Sequence, residues 1–271
     1  MTAFSAEWLA LREPADMHAR DANLTAQLVQ FAQGAHLESP ARFIDLACGT
    51  GSNLRYLAPH VGADSRWLLV DSDAVLLEKV GSVPGHRVET QKLDLVMDLH
   101  RLDFAPDVVV TASALLDLVS DRWLTQLVEH CRANRCAALF ALSYDGEITL
   151  TPSDPDDEWI RELVNRHQLG DKGFGPALGP GAWQRTCELF DQAGYDVHTA
   201  RSDWNLLPAE RLLQQALLEG WAGAAMELAS HEANRCHRWL ARRLAHVANE
   251  TSRITVGHRD VLAVPQPAPR S

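Results

Sequence analysis

The stretch whose reading decides the fold is Arg42-Phe43-Ile44-Asp45-Leu46-Ala47-Cys48-Gly49-Thr50-Gly51-Ser52-Asn53. Phe43, Ile44 and Leu46 form the short apolar run that a buried parallel strand needs. Gly49 and Gly51 permit a tight turn that side chains would block, so backbone can approach a ligand closely. Ser52, Asn53 and the Leu54-Arg55-Tyr56-Leu57 run that follows begin a helix. A strand, a glycine turn and a helix N-terminus make a nucleotide-binding corner at the C-terminal edge of a sheet.

Three ligand classes use such a corner. A nucleoside triphosphate loop of the Walker type ends in Gly-Lys-Ser/Thr, and no lysine lies here. The dinucleotide fingerprint asks for a third glycine where this chain has Leu54. The third fits: Asp45-Leu46-Ala47-Cys48-Gly49-Thr50-Gly51 resembles motif I of class I S-adenosylmethionine-dependent methyltransferases, with Ala47 in place of the usual first glycine.

The next apolar run, Arg66-Trp67-Leu68-Leu69-Val70, ends in Asp71, 22 residues after Gly49. A carboxylate at the tip of a second strand can accept two hydrogen bonds from ribose hydroxyls, and the family uses its acid in that role. The competing reading of Asp71 is a helix N-cap ahead of Ala74-Val75-Leu76-Leu77, a post for which Asp73 is better placed. The resemblance implies S-adenosyl-L-methionine as cofactor and S-adenosyl-L-homocysteine as product. It puts Asp45, Ala47, Cys48, Gly49, Gly51, Asn53, Asp71 and Ser72 at the cofactor.

Composition sets the bounds. The chain has 271 residues, 46% apolar and 23% charged, as in an ordinary globular protein of one large domain or one domain with an embedded cap. A net charge of −11 argues against a general nucleic-acid binder, which needs a basic footprint. No run of about 18 apolar residues occurs, so no membrane-spanning helix is expected. Glu7, Arg12, Glu13 and Asp16 break up the N-terminus, leaving no signal-peptide core. Cys48, Cys131, Cys136, Cys187 and Cys236 are odd in number and lack a Cys-x-x-Cys, which predicts free thiols in a reducing cytoplasm.

Taken in order, residues 5–34 predict two helices split at Pro14, the second stopped by Gly34. In many small-molecule methyltransferases a helical segment before motif I folds over the cofactor. Arg20 then reaches the cofactor carboxylate or is a solvated helix arginine. Residues 87–91 alternate as a third strand leading to Leu93-Asp94-Leu95. The resemblance gives Asp94 the adenine amino group and Leu95 the ring; the alternative for Asp94 is a turn aspartate. Residues 107–111 form a central, β-branched fourth strand opening into Ala112-Ser113-Ala114-Leu115-Leu116-Asp117. There the family lines cofactor and substrate: Thr111 contributes backbone groups, and Asp117 faces substrate or occupies a polar helix position.

Asp121 is expected to cap a helix reaching Asn134, and a fifth strand runs from 137 to 143. Tyr144 and Asp145 then stand at a strand tip, where open α/β sheets bind substrates. Tyr144 is the first choice for substrate contact, against a packing role. Residues 154–167 read as a helix, and 169–180 as a glycine- and proline-rich active-site lid presenting Lys172 and Phe174, or as a surface loop. A helix over 182–193, a sixth strand over 195–202 reaching Trp204, helices over 209–218 and about 221–247, the latter open to a break, and a last strand over 253–264, with a bulge at 257–260, complete the chain.

The expected architecture is an α/β fold: a seven-stranded, mostly parallel Rossmann-like sheet with helices on both faces and strand seven antiparallel between the fifth and sixth. Residues 1–40 form an N-terminal segment over the cofactor, 41–207 and 251–265 the core, 208–250 a helical cap over the substrate pocket, and 266–271 a flexible tail. Trp204, Trp221 and Met226 are candidates for the pocket lining. No metal site is expected, since neither His130-Cys131 with Cys136 nor the His231–His237 segment has ligand spacing. The predicted function is in-line methyl transfer to a small-molecule acceptor by a monomer or homodimer, with Tyr144 and Asp117 as candidate catalytic groups; Asp145, His167 and His258 complete the group to test if a base is needed. An NAD-dependent oxidoreductase and a non-catalytic cofactor-binding relative are the alternatives.

Overall fold

A computed structural model describes residues 4–33 and 41–266; Gly34 and the 267–271 part of the expected tail lie outside the described residues. Chain order is α1 (Ala6–Ala19), α2 (Ala22–Gln33), β1 (Arg42–Leu46), α3 (Ser52–Leu57), β2 (Arg66–Asp71), α4 (Ala74–Leu77), β3 (Arg87–Lys92) and α5 (Leu95–Asp98). There follow β4 (Val108–Ser113), α6 (Asp121–Asn134), β5 (Ala137–Thr151), α7 (Asp157–Gln168), α8 (Ala182–Gln192) and β6 (Tyr195–Arg201). Last come β7 (Trp204–Leu206), α9 (Arg211–Leu228), α10 (Ala233–Ala248) and β8 (Arg253–Pro265).

The sheet runs β3-β2-β1-β4-β5-β8-β6, with short β7 also paired to β8. β1 to β5 are parallel to one another, and β8 is antiparallel between β5 and β6. The expected order therefore holds, with Trp204 on an eighth strand too short to stand out in the sequence. Fully buried Val108, Val109 and Val110 occupy the central strand, and β1 is buried from Phe43 to Leu46. Burial on both faces is what makes these strands read as continuous apolar runs.

β5 departs most from expectation. It extends to Thr151, and its pairing with β8 slips between Phe140 and Ser143 and again between Tyr144 and Ile148. The extra residues are on β5, not at 257–260 of the last strand. Leu142 (φ 56°) and Gly146 (φ 92°) absorb the left-handed turns. Asp260 accepts the Leu142 N–H at 2.8 Å, so the bulge leaves that buried donor satisfied.

Helix boundaries differ from the reading in three places. Pro14 lies inside α1 rather than splitting it. The proline removes one backbone bond, but α1 packs on two sides and survives. Trp8, Leu11, Ala15 and Ala19 join a core shared with α9 and α10, whereas Leu9, Arg12 and Asp16, on the adjoining face, line a cavity. Both sets follow the three-to-four residue period of one helical face. The N-cap of α6 is Ser120, which accepts the Trp123 N–H, with Asp121 as first helical residue. α9 runs through Gly220 without a break, and the interruption comes at 229–232.

Candidate active site

The C-terminal edge of β1, β2, β3 and β4 opens into a cavity of about 480 Å³, within the range of about 300–1,000 Å³ usual for small-molecule sites. Asp45, Ala47, Cys48, Gly49, Ser52 and Asn53 form one wall. Asp71 to Leu76 and Lys92 to Leu95 form the second, Ser113, Ala114, Leu115 and Leu118 with Lys172 and Phe174 the third, and Phe4, Leu9, Arg12 and Asp16 the cover.

The motif turn is built by backbone geometry. Ala47 (φ 50°) and Gly49 (φ 55°) are left-handed, so a side chain at 47 is tolerated at a conformational cost. A Cβ on Gly49 would come within 2.8 Å of Leu9 Cδ1, which is how closely α1 covers the turn. Glu13 fixes that cover by a two-pronged pair with Arg55 at 2.6 and 2.7 Å. Gly51 (φ 81°) shapes the bend from behind and does not itself line the cavity.

Beneath the turn lies a buried polar network. Asn53 Nδ2 donates to Asp45 Oδ1 at 2.7 Å and to Thr111 Oγ1 at 3.0 Å, and Thr111 donates to the Leu139 carbonyl. Burial pushes the Asp45 carboxyl up to about 7 against the opposing pull of Asn53 and Arg20, and its Oδ2 has no hydrogen-bond partner among the described residues. Burial likewise pushes the Cys48 thiol up, keeping it neutral and unsuited to nucleophilic attack. Asp71 takes the Gly49 N–H at 2.8 Å and the Asp73 N–H at 2.9 Å, one on each oxygen, while Asp73 caps α4 through Val75. Asp94 is both a cap, accepting the Val96 N–H, and a residue of the cavity wall beside Leu95.

Several expected site residues stand elsewhere. Arg20 is neither solvated nor on the cavity wall: it is buried, donates to Asn53 Oδ1 at 2.8 Å, lies over the Tyr56 ring and has Nε 3.8 Å from Asp260. Thr111 belongs to the network under the turn. Tyr144 is buried in a second core, the one that α1 shares with α9 and α10, with its hydroxyl on Asn165 at 2.7 Å and its phenol pushed up by burial. The reason is β5 itself, which continues past Tyr144 where a strand tip was expected. Asp145 is paired with Arg259 at 3.1 Å. Trp204 is core, donating to Asp16 Oδ1 at 3.0 Å and packed on His258. Asp117 is buried and off the cavity wall, its Oδ1 without a hydrogen-bond partner among the described residues and its carboxyl raised by burial to about 6. His258 is held down to about 3 by burial and by Arg12. His167 and Lys172 meet at 3.3 Å.

The 208–250 helices contribute nothing to the wall, and Trp221 and Met226 pack into the second core. α1, from the N-terminal segment expected over the cofactor, supplies the cover without them. Its contribution, Leu9, Arg12 and Asp16, was missed, although their spacing on one face of α1 was the available signal. Among the described residues no group of three or more His, Cys, Asp or Glu side chains could hold a metal ion. No described helix is long and apolar enough to cross a membrane.

The fold and the corner agree with what the family comparison finds in the sequence. Residues 43–134 match the methyltransferase-domain family model, so the chain carries a methyltransferase domain extending from β1 to the end of α6. No curated protein matches the chain in sequence. Among solved structures it is similar to a cyclopropane synthase from Mycobacterium tuberculosis, with 11% identity, TM-score 0.50, and coverage of 96% of this chain and 94% of that one. It is also similar to a cyclopropane-fatty-acyl-phospholipid synthase-like protein from Lactobacillus casei, with 14% identity, TM-score 0.50, and coverage of 92% and 98%. At these identities the likeness speaks for the fold alone.

Proposed function

We propose that the protein transfers a methyl group from S-adenosylmethionine to a small-molecule acceptor held in the same covered cavity. The observation that carries this reading is the closure of the motif turn by α1: Leu9 rests on Gly49, and Glu13 on Arg55 locks the helix there. A site roofed in this way suits a small acceptor better than a segment of a macromolecule.

The residues fit a cationic nucleoside. Asp45 has a buried oxygen without a partner, suited to an ammonium group. Each Asp71 oxygen accepts one backbone N–H and retains acceptor capacity for a ribose hydroxyl. Asp94 and Leu95 would take the adenine edge and face. When bound, the cofactor supplies a methyl already activated by its positively charged sulfur. What the chain supplies is orientation and exclusion of water, and alignment alone can lower a barrier by several kcal/mol. Leu115, Leu118 and Phe174 give an apolar wall for the acceptor, and Leu9 with Phe4 shuts out solvent.

Calorimetric titration tests the cofactor: S-adenosylhomocysteine should bind and NAD should not. Donor turnover against an acceptor panel then separates an enzyme from a binding protein. NAD binding in preference to the sulfur nucleoside would reverse the conclusion.

A further inference from the structure

Among the described residues three cations line the cavity, and they differ in how their charge is met. Arg12 forms a two-pronged pair with Asp16, at 2.9 and 3.1 Å. Lys92 is exposed at the end of β3, on the wall that carries Asp94. Lys172 is half-buried, and among the described residues it has no carboxylate at ion-pair distance. Its Nζ instead meets His167 Nδ1 at 3.3 Å, and His167 Nε2 meets Glu227 Oε2 at 2.9 Å. With Glu227 holding the Nε2 proton, Nδ1 is left as an acceptor for one Lys172 N–H, and two donors remain.

The loop that carries this ammonium is braced. Asp171 Oδ1 accepts the Gly173 and Gly175 N–H groups at 2.7 and 3.0 Å. The Leu178 N–H donates to the Val119 carbonyl at 2.8 Å, and Phe174 meets Trp123 edge-on at 5.3 Å. Lys172 is thus held by a braced loop in the lining of the same cavity as Leu115, Leu118 and Phe174. The Asp117 carboxylate feels this ammonium without pairing with it, and a partly desolvated ammonium with no carboxylate in direct contact is costly unless an anion completes it.

We propose that Lys172 binds an anionic group of the methyl acceptor, a carboxylate or a phosphate, with His167 as its positioning residue and Leu115, Leu118 and Phe174 taking the acceptor's apolar body. This rests on the methyltransferase reading of the same cavity. The test uses the full chain saturated with S-adenosylhomocysteine and three probes of one ring size: benzoate, phenyl phosphate and neutral benzamide. At least one anion should bind tenfold or more tighter than benzamide, and which one it is names the anion. Lys172→Met should abolish the preference while S-adenosylhomocysteine still binds within about threefold, a result that also shows the variant folded. Lys172→Arg should retain the preference. His167→Leu should reduce it several-fold, and His167→Gln, whose amide oxygen still accepts from Nζ, should restore part of it. Equal binding of all three probes overturns the proposal, as does a tenfold loss of S-adenosylhomocysteine affinity in Lys172→Met, which would give the ammonium to the cofactor. Failure of the wild type to bind S-adenosylhomocysteine would instead sink the methyltransferase reading.

Discussion

Arg20, in the link between α1 and α2, donates from Nη1 to Asn53 Oδ1 at 2.8 Å, and the same Asn53 amide donates to Asp45 at 2.7 Å. The N-terminal helices are thereby joined to the floor of the cavity through one amide. The far side of Arg20 faces Asp260, which also takes the Leu142 and Asp21 N–H groups. Replacing Arg20 with Met leaves a buried carboxylate poorly compensated and Asn53 short of a donor. We expect a loss of about 3 kcal/mol in denaturant-unfolding stability. A loss under about 1 kcal/mol would show that this strut carries little.

Asp71→Ala removes the acceptor of two backbone N–H groups at the cavity wall as well as the acid available to the ribose. S-adenosylhomocysteine affinity should fall by at least about fivefold, on the order of 1 kcal/mol or more. Unchanged affinity by calorimetry would remove Asp71 from the site.

The raised Asp45 carboxyl has a defined pH signature. Between the ordinary carboxylate value of about 4 and the folded value of about 7, the folded state holds a proton that the unfolded chain releases. Stability of the free protein is therefore greatest at the acid end of that window and declines toward pH 7. Asp117, raised to about 6, adds in the same direction. A cationic ligand beside Asp45 favours the carboxylate, so S-adenosylhomocysteine should release a proton on binding at pH 6 and almost none at pH 8.5. Calorimetry in buffers of different ionisation enthalpy reads this directly, and Asp45→Asn should abolish the release.

Tyr144→Phe deletes a hydroxyl bonded to Asn165 in the second core, away from the cavity wall. The variant should lose about 1 kcal/mol of stability and keep the affinity for S-adenosylhomocysteine. A hundredfold fall in turnover with stability intact would return Tyr144 to the reaction.

Much of this was legible before any coordinates. Phe43 to Gly51 announced a strand and a glycine turn, Asp71 and Asp73 were separated into two roles by spacing, and the order of later strands followed. Such features are local, because strand burial, caps and turns are imposed on the residues that form them. Where the chain reads as locally ordinary but is globally placed, the sequence was silent. The 137–143 run gives no sign that β5 will bulge at Leu142 and continue. That depends on Asp260, 118 residues away, accepting the freed N–H.

The sequence by itself determined the corner, the parallel sheet that carries it and the acids at its edge, since each follows from short-range chemistry. The resemblance also put an N-terminal segment over the cofactor; only the tertiary structure decided that Leu9, Arg12 and Asp16 of α1 form the cover, that the 208–250 helices take no part in it, and that Tyr144 and Trp204 go to the core. The physical reason is that an amphipathic helix advertises which residues are apolar but not which neighbour they will meet. For α1, with one face on the α9–α10 core and the other on the motif turn, that choice was made by the packing of distant segments.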